Sequence, residues 1–533
     1  MSDSPSAAAD HVDPPLACRR QDRALLVTSV LACLAWAPIQ RWYALPDNRD
    51  RTHFAFEMVP GRFDSPILRG TLLLFVLIGL LHALGWWLLQ RQGPMPSRTA
   101  KAAVLLAAAG PAVANLLLYP VGALDVFDYL VEMKLTWFYG QNPYLTTFAD
   151  HRADPFALPA FLLNVPLFYG PAWLAASAVP ALAAGFSDVT RLLVAVKVVN
   201  LLLVWAVAAI LFRHHGGGRA GWSAAYLFAA SPLVLFEGVG NAHNDVLMTA
   251  FLVAALVAAS SRSALAGPAL ALSALVKFFT GALAPLFLAA AVRERWGWRI
   301  ATTTLLATAV AVAVTAPWWA DGQLVGGLAE GTAMSQKMDH VSPLSLAQQW
   351  SRRHPLPSVL AVASVAAATD CDSPFADEPV VLPAVGARCA PVWLSPSERA
   401  DIVRGVCAAL FALLALGLTV AVLRGRPLAD AAVDTMLLFA LLMTNLYPWY
   451  LVPVVAVVAL RPRRATLAWL FVATALGLAY YPAYVWARFN AGFDEWHRHL
   501  FLALFLTVPI LALLAWELAA PAVRATRRRL ATG

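Results

Sequence analysis

The sequence predicts an all-α, polytopic membrane protein, from its composition and from the length and recurrence of its apolar runs. Hydrophobic residues make up 60% of the 533 residues, and charged residues make up only 13%. This apolar content exceeds what a soluble core requires. Apolar runs of about 17–25 residues, long enough for a helix to cross the hydrocarbon core, recur from end to end. Because a helix satisfies its own backbone hydrogen bonds, it is the spanning structure that such runs predict.

The first element is a polar leader followed by an apolar stretch. Residues 1–23 end in a basic cluster, and residues 24–40 are apolar. This order predicts a cytoplasmic tail and a first span. A cleaved signal peptide is the alternative, but the leader is long and no small-residue cleavage site precedes Arg41.

Basic clusters separate the later apolar runs and predict the topology. Cytoplasmic loops carry the excess of Lys and Arg, so we expect these clusters inside, together with both termini. The net charge of +8 then reflects topology and no nucleic-acid partner is expected. The acidic and aromatic segments are expected on the outer side of the membrane. Membrane lipids are expected to surround the spans. The clusters lie at positions 91–101, 213–219, 262, 293–299, 424–426, 461–464 and 524–529.

Counting in this way predicts about 13–14 spans, several of them short, with outer-face loops and interfacial helices. The Pro-interrupted residues 165–185 are expected to be re-entrant or interfacial. The predicted organisation is a cytoplasmic tail (1–23), a transmembrane module (24–317) containing an outer loop (123–188), a large outer loop (318–401), C-terminal transmembrane helices (402–521) and a basic cytoplasmic tail (522–533).

Two of the five cysteines, Cys371 and Cys389, lie in the large outer loop. If that loop faces an oxidising compartment, we expect them to form a disulfide. Two unpaired thiols are the alternative, because the sequence does not give their separation.

Three carboxylates follow the third predicted span. Asp125, Asp128 and Glu132 are spaced by three and four residues, which places them on one side of a helix. Desolvation and like-charge crowding would raise at least one of their pKa values, as suits a general base or a divalent-cation site. The alternative is an amphipathic helix whose polar face needs no further role, with Asp125 as its N-cap.

A polar turn interrupts two apolar runs at residues 237–251, EGVGNAHNDVLMTAF. Polar groups at membrane depth cost several kcal/mol unless they are paired or functional. His243 and Asp245 are therefore candidates for substrate contact, and structural capping of the turn is the alternative. His243 and Asp245 alone are too few ligands for a metal ion.

Lys277 is one of only five lysines, and it lies near the predicted outer end of an apolar hairpin. A compact ammonium suits a phosphate. Snorkelling towards lipid headgroups is the alternative. Tyr447, Trp449 and Tyr450 surround Pro448 at another outer helix end. They could form an aromatic belt, or hold a sugar or a polyprenyl chain.

With these motifs in this order, the chain resembles the GT-C superfamily of glycosyltransferases, and most closely the bacterial polyprenyl-phosphate-mannose-dependent mannosyltransferases. The resemblance covers most of the chain up to about residue 290 and one late hairpin. Its motifs are DVFDY (125–129), YGQNPYL (139–145), FYGPAWLA (168–175), GNAHND (240–245), LVKFFTGALAPL (275–286) and YPWYLVP (447–453).

The resemblance implies an inverting transfer of a sugar, expected to be mannose, from a polyprenyl-phosphate donor to a lipid or glycan acceptor of the cell envelope. The site would face the periplasmic or extracellular side of the cell membrane. In this resemblance, Asp125 matches the catalytic base of such enzymes, and Glu132 matches a second acid. Asp128 departs from the pattern. This departure leaves open which carboxylate is the base and whether Asp125 and Asp128 bind a divalent cation. The implied donor contacts are His243, Asp245, Lys277, Tyr447, Trp449 and Tyr450, and the implied acceptor contacts are Tyr144 and Tyr169.

A secondary transporter is the main alternative function, because intramembrane His, Asp and Lys also occur in ion coupling. The polar groups cluster near one face, whereas a transporter site tends to lie at the midplane. A structural scaffold is the third class, and it leaves the carboxylates unexplained.

Overall fold

A computed structural model describes residues 16–48, 65–122, 125–335, 342–353, 396–442, 446–489 and 495–532. These residues form helices joined by turns, and their β-structure is limited to an isolated bridge between Ala44 and Leu118. The predicted all-α fold is therefore confirmed. Cys371 and Cys389 lie outside the described residues, so their disulfide stays a prediction.

The helices follow one another with short connections. The α-helices are α1 (Leu16–Trp42), α2 (Leu45–Asn48), α3 (Ser65–Gln90), α4 (Arg98–Leu116), α5 (Asp125–Trp137), α6 (Pro171–Ala184), α7 (Val189–His214), α8 (Gly218–Ala229), α9 (Pro232–Val234), α10 (Asp245–Ser260), α11 (Ala266–Val276), α12 (Ala284–Arg293), α13 (Arg299–Thr315), α14 (Gln323–Ser335), α15 (Pro343–Arg353), α16 (Pro396–Leu423), α17 (Leu428–Leu442), α18 (Val452–Leu460), α19 (Arg464–Phe489) and α20 (Glu495–Thr532). A π-helical turn occupies Leu235–Gly240, and 3-10 turns occupy Phe148–His151, Pro155–Ala157, Phe278–Leu283, Ala316–Trp318, Ala320–Gly322 and Pro448–Leu451.

Eight helices in the described part of the chain are long and apolar enough to cross a membrane, so the chain is a multi-pass membrane protein. A ninth candidate is the pair Gly218–Ala229 and Pro232–Gly240, bent by 42°. Five shorter apolar helices complete the set: Pro171–Ala184, Asp245–Ser260, Ala266–Val276, Phe278–Arg293 and Pro448–Leu460. The predicted number of spans depends on how these short helices sit in the bilayer, and it stays a prediction.

Aromatic packing fixes the π-helical turn in the core. The ring of Phe236 lies 5.1 Å from that of Phe75 on α3 and 6.3 Å from that of Trp36 on α1. It also meets Tyr481 on α19 at 5.6 Å. Offset and edge-to-face ring pairs of this kind add about 0.5–1.5 kcal/mol each beyond area burial. This turn is therefore held from three sides.

The C-terminal end of α4 is held by a buried cation. Lys197 of α7 donates to the backbone carbonyls of Asn115 and Leu118. Carbonyls of a last helical turn lack intrahelical partners, so a buried ammonium there satisfies them. This contact fixes the chain just before it enters α5.

The segment after α5 folds back against that helix. The Lys134 ammonium lies 2.7 Å from Asp154 Oδ2, and both side chains are buried. The Tyr139 hydroxyl donates to the same carboxylate at 2.7 Å. The next turn is anchored to the end of α11, because the Gly170 N–H donates to the Val276 carbonyl at 3.1 Å. A Cβ at Gly170 would lie 1.9 Å from the Leu275 carbonyl oxygen, so only glycine allows this approach.

Candidate active site

Four short segments meet between the spans and bring most of the predicted site residues together. They are the start of α5, the polar turn at residues 237–245, the residue after α11, and the aromatic turn before α18. Each lies at a helix end, where backbone groups and side chains are not committed to a continuous helix.

Asp125 is the first residue of α5 and is partly exposed. Its side chain is 30% exposed, and its Oδ2 accepts a hydrogen bond from the Tyr169 hydroxyl at 3.1 Å. Burial raises the pKa of Asp125 above its ordinary value, and the Lys277 ammonium and the Tyr169 hydroxyl oppose this only in part. A reachable carboxylate with a raised pKa has the properties of a general base.

Asp128 lies one turn further along α5 and faces the loop that follows. Its Oδ1 accepts hydrogen bonds from the backbone N–H groups of Phe161 and Leu162, both at 2.8 Å. Desolvation, together with the charge of Asp125, raises the pKa of Asp128 to about 7 despite these two bonds. Its contacts are those of a loop anchor, and a catalytic role for it stays a prediction.

Glu132 continues the row of acids. Burial raises the pKa of Glu132 well above its ordinary value, and the charges of Asp128 and Asp125 add to this effect. The three carboxylates therefore do crowd one another on α5, as their spacing predicted.

The polar turn places His243 between two carboxylates. Its Nε2 lies 3.5 Å from Oε2 of Glu237, and its Nδ1 lies 3.9 Å from Oδ2 of Asp125. The imidazole is fully buried and stacks on Trp449, with ring centroids 4.1 Å apart. The side-chain amide of Asn200 clamps the turn by donating to the Gly238 and His243 carbonyls at 2.8 and 3.0 Å.

Lys277 forms a buried ion pair with Asp245. Its Nζ lies 2.5 Å from Asp245 Oδ2 and 5.4 Å from the centroid of each of the Tyr169 and Tyr450 rings. The exposed fraction of the Lys277 side chain is 9%. Snorkelling towards headgroups is therefore wrong for this residue, since its ammonium points into the cluster.

The aromatic turn forms one wall of the cluster. Tyr447 stacks on Trp449 with ring centroids 4.4 Å apart, and Trp449 in turn stacks on His243. Trp449 is buried, whereas a residue of a lipid-facing belt would be open on its outer side. These rings therefore border the polar turn, and contact with a donor stays a prediction.

The two tyrosines predicted to contact an acceptor differ in position. Tyr169 reaches Asp125 directly through its hydroxyl. Tyr144 is buried behind it, and its hydroxyl donates to the Tyr169 carbonyl at 3.0 Å. Tyr144 thus supports the tyrosine that holds Asp125.

Sequence reasoning missed two residues of the cluster. Glu237 opens the polar turn and is fully buried, yet its neighbours His243 and Asp245 drew the functional assignment. Tyr481 donates to Glu237 Oε1 at 2.8 Å from 244 residues away, and its sequence context carries no signal for this contact.

The side chains of the cluster show whether a divalent cation has enough ligands there. Within the described ranges, no group of three or more His, Cys, Asp and Glu side chains has the arrangement of a metal site. The Oδ1 of Asp128 is also engaged by two backbone N–H groups. A divalent cation therefore stays a prediction.

The helical membrane fold and its cluster of acids, imidazole and ammonium at helix ends agree with a GT-C-type glycosyltransferase. Residues 48–294 match the model of the MptA_B family, alpha-(1->6)-mannopyranosyltransferase, N-terminal domain. This part of the chain, which includes Asp125, His243 and Lys277, is therefore similar to a GT-C-type mannosyltransferase family. The similarity supports a mannosyltransferase, an enzyme class that uses a sugar donor and a glycan acceptor. No curated protein and no solved structure matches the chain.

Proposed function

We propose that the protein transfers mannose from a polyprenyl-phosphate donor to a lipid or glycan acceptor of the cell envelope, at the outer face of the cell membrane. The observation that carries the proposal is Asp125, a partly exposed carboxylate at the edge of an otherwise buried polar cluster. It lies within the matched family segment and next to the ammonium of Lys277.

Asp125 is assigned the role of general base. The acceptor hydroxyl oxygen forms a bond to the anomeric carbon while its proton passes to Asp125. The bond between that carbon and the phosphate oxygen breaks, and its electron pair leaves with the polyprenyl phosphate. A single displacement inverts the anomeric centre. Tyr169 orients the carboxylate through its hydroxyl, as an effective base requires.

Lys277 is assigned to the departing phosphate. Its ammonium is held in the cluster by Asp245, so it is already in place when the donor arrives. A fixed cation at the position where negative charge develops stabilises the transition state without reorganisation. The ring of Tyr450 lies 5.4 Å from this ammonium, and Tyr447, Trp449 and Tyr450 are together assigned to the sugar or the isoprene chain.

The raised pKa of Asp125 predicts the acid limb of the pH–rate profile. The base works only when deprotonated, so the rate falls as the pH drops through its pKa. Because that pKa is raised, the fall should begin at a higher pH than for an ordinary aspartate. A profile that stays flat down to the ordinary range of Asp would contradict this assignment.

Substitution of Asp125 by Asn tests the base directly. Asn keeps the size and one acceptor oxygen but cannot take a proton, and losing a positioned base removes about 10²–10⁴ in rate. We expect Asp125→Asn to lose mannosyl transfer by this factor with an unchanged thermal unfolding temperature. Purified proteins are compared in transfer of labelled mannose to lipid acceptors.

Two further variants serve as comparisons. Glu330→Gln alters an exposed acid on α14 and should transfer mannose like the wild type. Asp128→Asn keeps an acceptor oxygen for the Phe161 and Leu162 N–H groups, so its loss should be much smaller. Full activity of Asp125→Asn would remove the base from the proposal, and equal losses at both positions would favour a shared cation site.

A further inference from the structure

Glu237 is a buried carboxylate that the mechanism above does not use. Its side chain is fully buried in the π-helical turn, and both of its oxygens have partners. Oε1 accepts a hydrogen bond from the Tyr481 hydroxyl at 2.8 Å, and Oε2 accepts one from the Asn241 amide at 3.0 Å. A buried carboxylate is expensive unless the surroundings satisfy it, so these donors hold Glu237 in one position.

His243 connects Glu237 to the base. Its Nε2 is 3.5 Å from Glu237, and its Nδ1 is 3.9 Å from Asp125. Neither ring nitrogen forms an aligned hydrogen bond in this state, while stacking on Trp449 fixes the plane of the ring. Catalytic hydrogen bonds are often long before substrate binds and tighten afterwards. The three groups therefore stand in the order carboxylate, imidazole, carboxylate.

The backbone that creates this order is irregular. Glu237 lies in a π-helical turn, and Ala242, beside His243, has a φ of +59°. π-Helical turns are frequent at functional sites, and a left-handed alanine costs about 1–2 kcal/mol. The surrounding packing maintains a conformation that a regular helix would not adopt, and it brings the imidazole back onto Glu237.

The nearer carboxylate, Glu237, favours the tautomer of His243 that carries the proton on Nε2. Burial and the Lys277 ammonium lower the pKa of His243 well below its usual range, so the ring is neutral. With the proton on Nε2, the ring faces Glu237 as a donor. The lone pair of Nδ1 then faces the ionised Asp125, and two acceptors do not approach closely, in accord with the longer separation of 3.9 Å.

We propose that Glu237 is a positioning residue that acts through His243: it holds the imidazole so that Nδ1 can accept a hydrogen bond from Asp125 once Asp125 has taken the proton of the acceptor hydroxyl. This inference rests on the proposed function. No bond of His243 or Glu237 breaks in this step. The proton leaves Asp125 for solvent through the exposed part of its carboxyl group, and Asp125 is again ionised for the next acceptor.

The test is Glu237→Gln, measured in mannosyl transfer from polyprenyl-phosphate mannose. Glu237 is fully buried and the mechanism assigns it no contact with the donor, so we expect kcat to fall about 10–100-fold with the donor KM unchanged. The second arm combines Glu237→Gln with His243→Gln. If Glu237 acts only through His243, the double variant is no slower than His243→Gln alone, because residues that act as one unit are not additive.

Each outcome decides the proposal. Wild-type kcat in Glu237→Gln, a change confined to KM, or losses that add in the double variant would overturn it. If Glu237→Gln does not fold, Tyr481→Phe replaces it, since this change removes one donor to Glu237 and keeps the ring. It should lower kcat without changing KM or adding to the loss in His243→Gln, and an unchanged kcat would overturn the proposal.

The same assay separates this inference from the proposed function. Transfer by the wild type and its loss in Asp125→Asn establish the base, and the Glu237 variants then report on the positioning of His243 alone. Glu330→Gln, an exposed acid exchanged for its amide, controls for the substitution itself. Absence of wild-type transfer from the polyprenyl donor would overturn both.

Discussion

The acid row on α5 and the polar turn at residues 237–245 contribute to the same cluster, but their side chains are paired in different ways. On α5, helical spacing alone aligns Asp125, Asp128 and Glu132, and the row is crowded by like charge. In the polar turn, no helical spacing relates Glu237 to Asp245, and their partners Tyr481 and Lys277 come from later parts of the chain.

The difference shows what assigns roles to chemically similar residues. Asp125 and Asp128 are one helical turn apart, yet Asp125 is held by a tyrosine hydroxyl and Asp128 by two backbone N–H groups. The tertiary partner therefore separates a reachable base from a loop anchor. Regular spacing brings acids together, and contacts from distant segments distinguish them.

Of the changes that test this comparison, removing Lys277 should have the largest effect, because its ammonium pairs with Asp245 of the polar turn and its charge also acts on Asp125 of α5. Lys277→Ala should lower kcat/KM for the donor about 10²–10³-fold, as expected for loss of a charge that stabilises the transition state. The value of kcat/KM for the acceptor should change less, because the phosphate belongs to the donor lipid. Steady-state kinetics with each substrate varied in turn measure the difference.

Lys277→Ala also leaves Asp245 buried without its cation, which costs about 3–5 kcal/mol in stability. The double variant with Asp245→Asn removes both charges and should recover the thermal unfolding temperature without recovering donor use. Recovery of donor use in the double variant would show that Lys277 is structural.

Gly122→Ala should have an intermediate effect, because it disturbs a contact between the segment that precedes α5 and the polar turn. The Gly122 N–H donates to Asn241 Oδ1 at 3.0 Å. A Cβ at this position would lie 2.4 Å from Asn241 Nδ2 and 2.8 Å from Cζ of Tyr481, so both partners of Glu237 must shift. Displacements of this size cost up to about 10²-fold in rate. Gly93→Ala, with open space around its Cβ, is the matched control and should transfer mannose normally.

Ala242→Gly should have the smallest effect and act on the polar turn alone. Glycine adopts the φ of +59° without a Cβ penalty, so the free energy of unfolding should rise by about 1 kcal/mol. A higher thermal unfolding temperature with near wild-type transfer would show that strain in the turn is separable from its chemistry. A lower thermal unfolding temperature of Ala242→Gly would contradict the conclusion that the backbone at Ala242 is strained.

Local patterns explain which parts of the molecule the sequence could predict. Hydrophobic runs identified the membrane helices, and a spacing of three and four placed the acids on α5. The ion pair of Lys277 with Asp245 spans 32 residues and the contact of Tyr481 with Glu237 spans 244, and no local pattern encodes either. The aromatic turn was predicted as a candidate, but only the fold shows that Trp449 stacks on His243.

The most direct test of the central claim is the identity of the donor. Purified wild-type protein in lipid vesicles is given labelled mannose either on polyprenyl phosphate or on a nucleotide, each with the same lipid acceptors. We expect label in the acceptor only from the polyprenyl donor, with inversion at the anomeric carbon, and transfer about 10²–10⁴-fold slower by Asp125→Asn. Transfer from the nucleotide donor alone, or equal transfer by Asp125→Asn, would contradict the account.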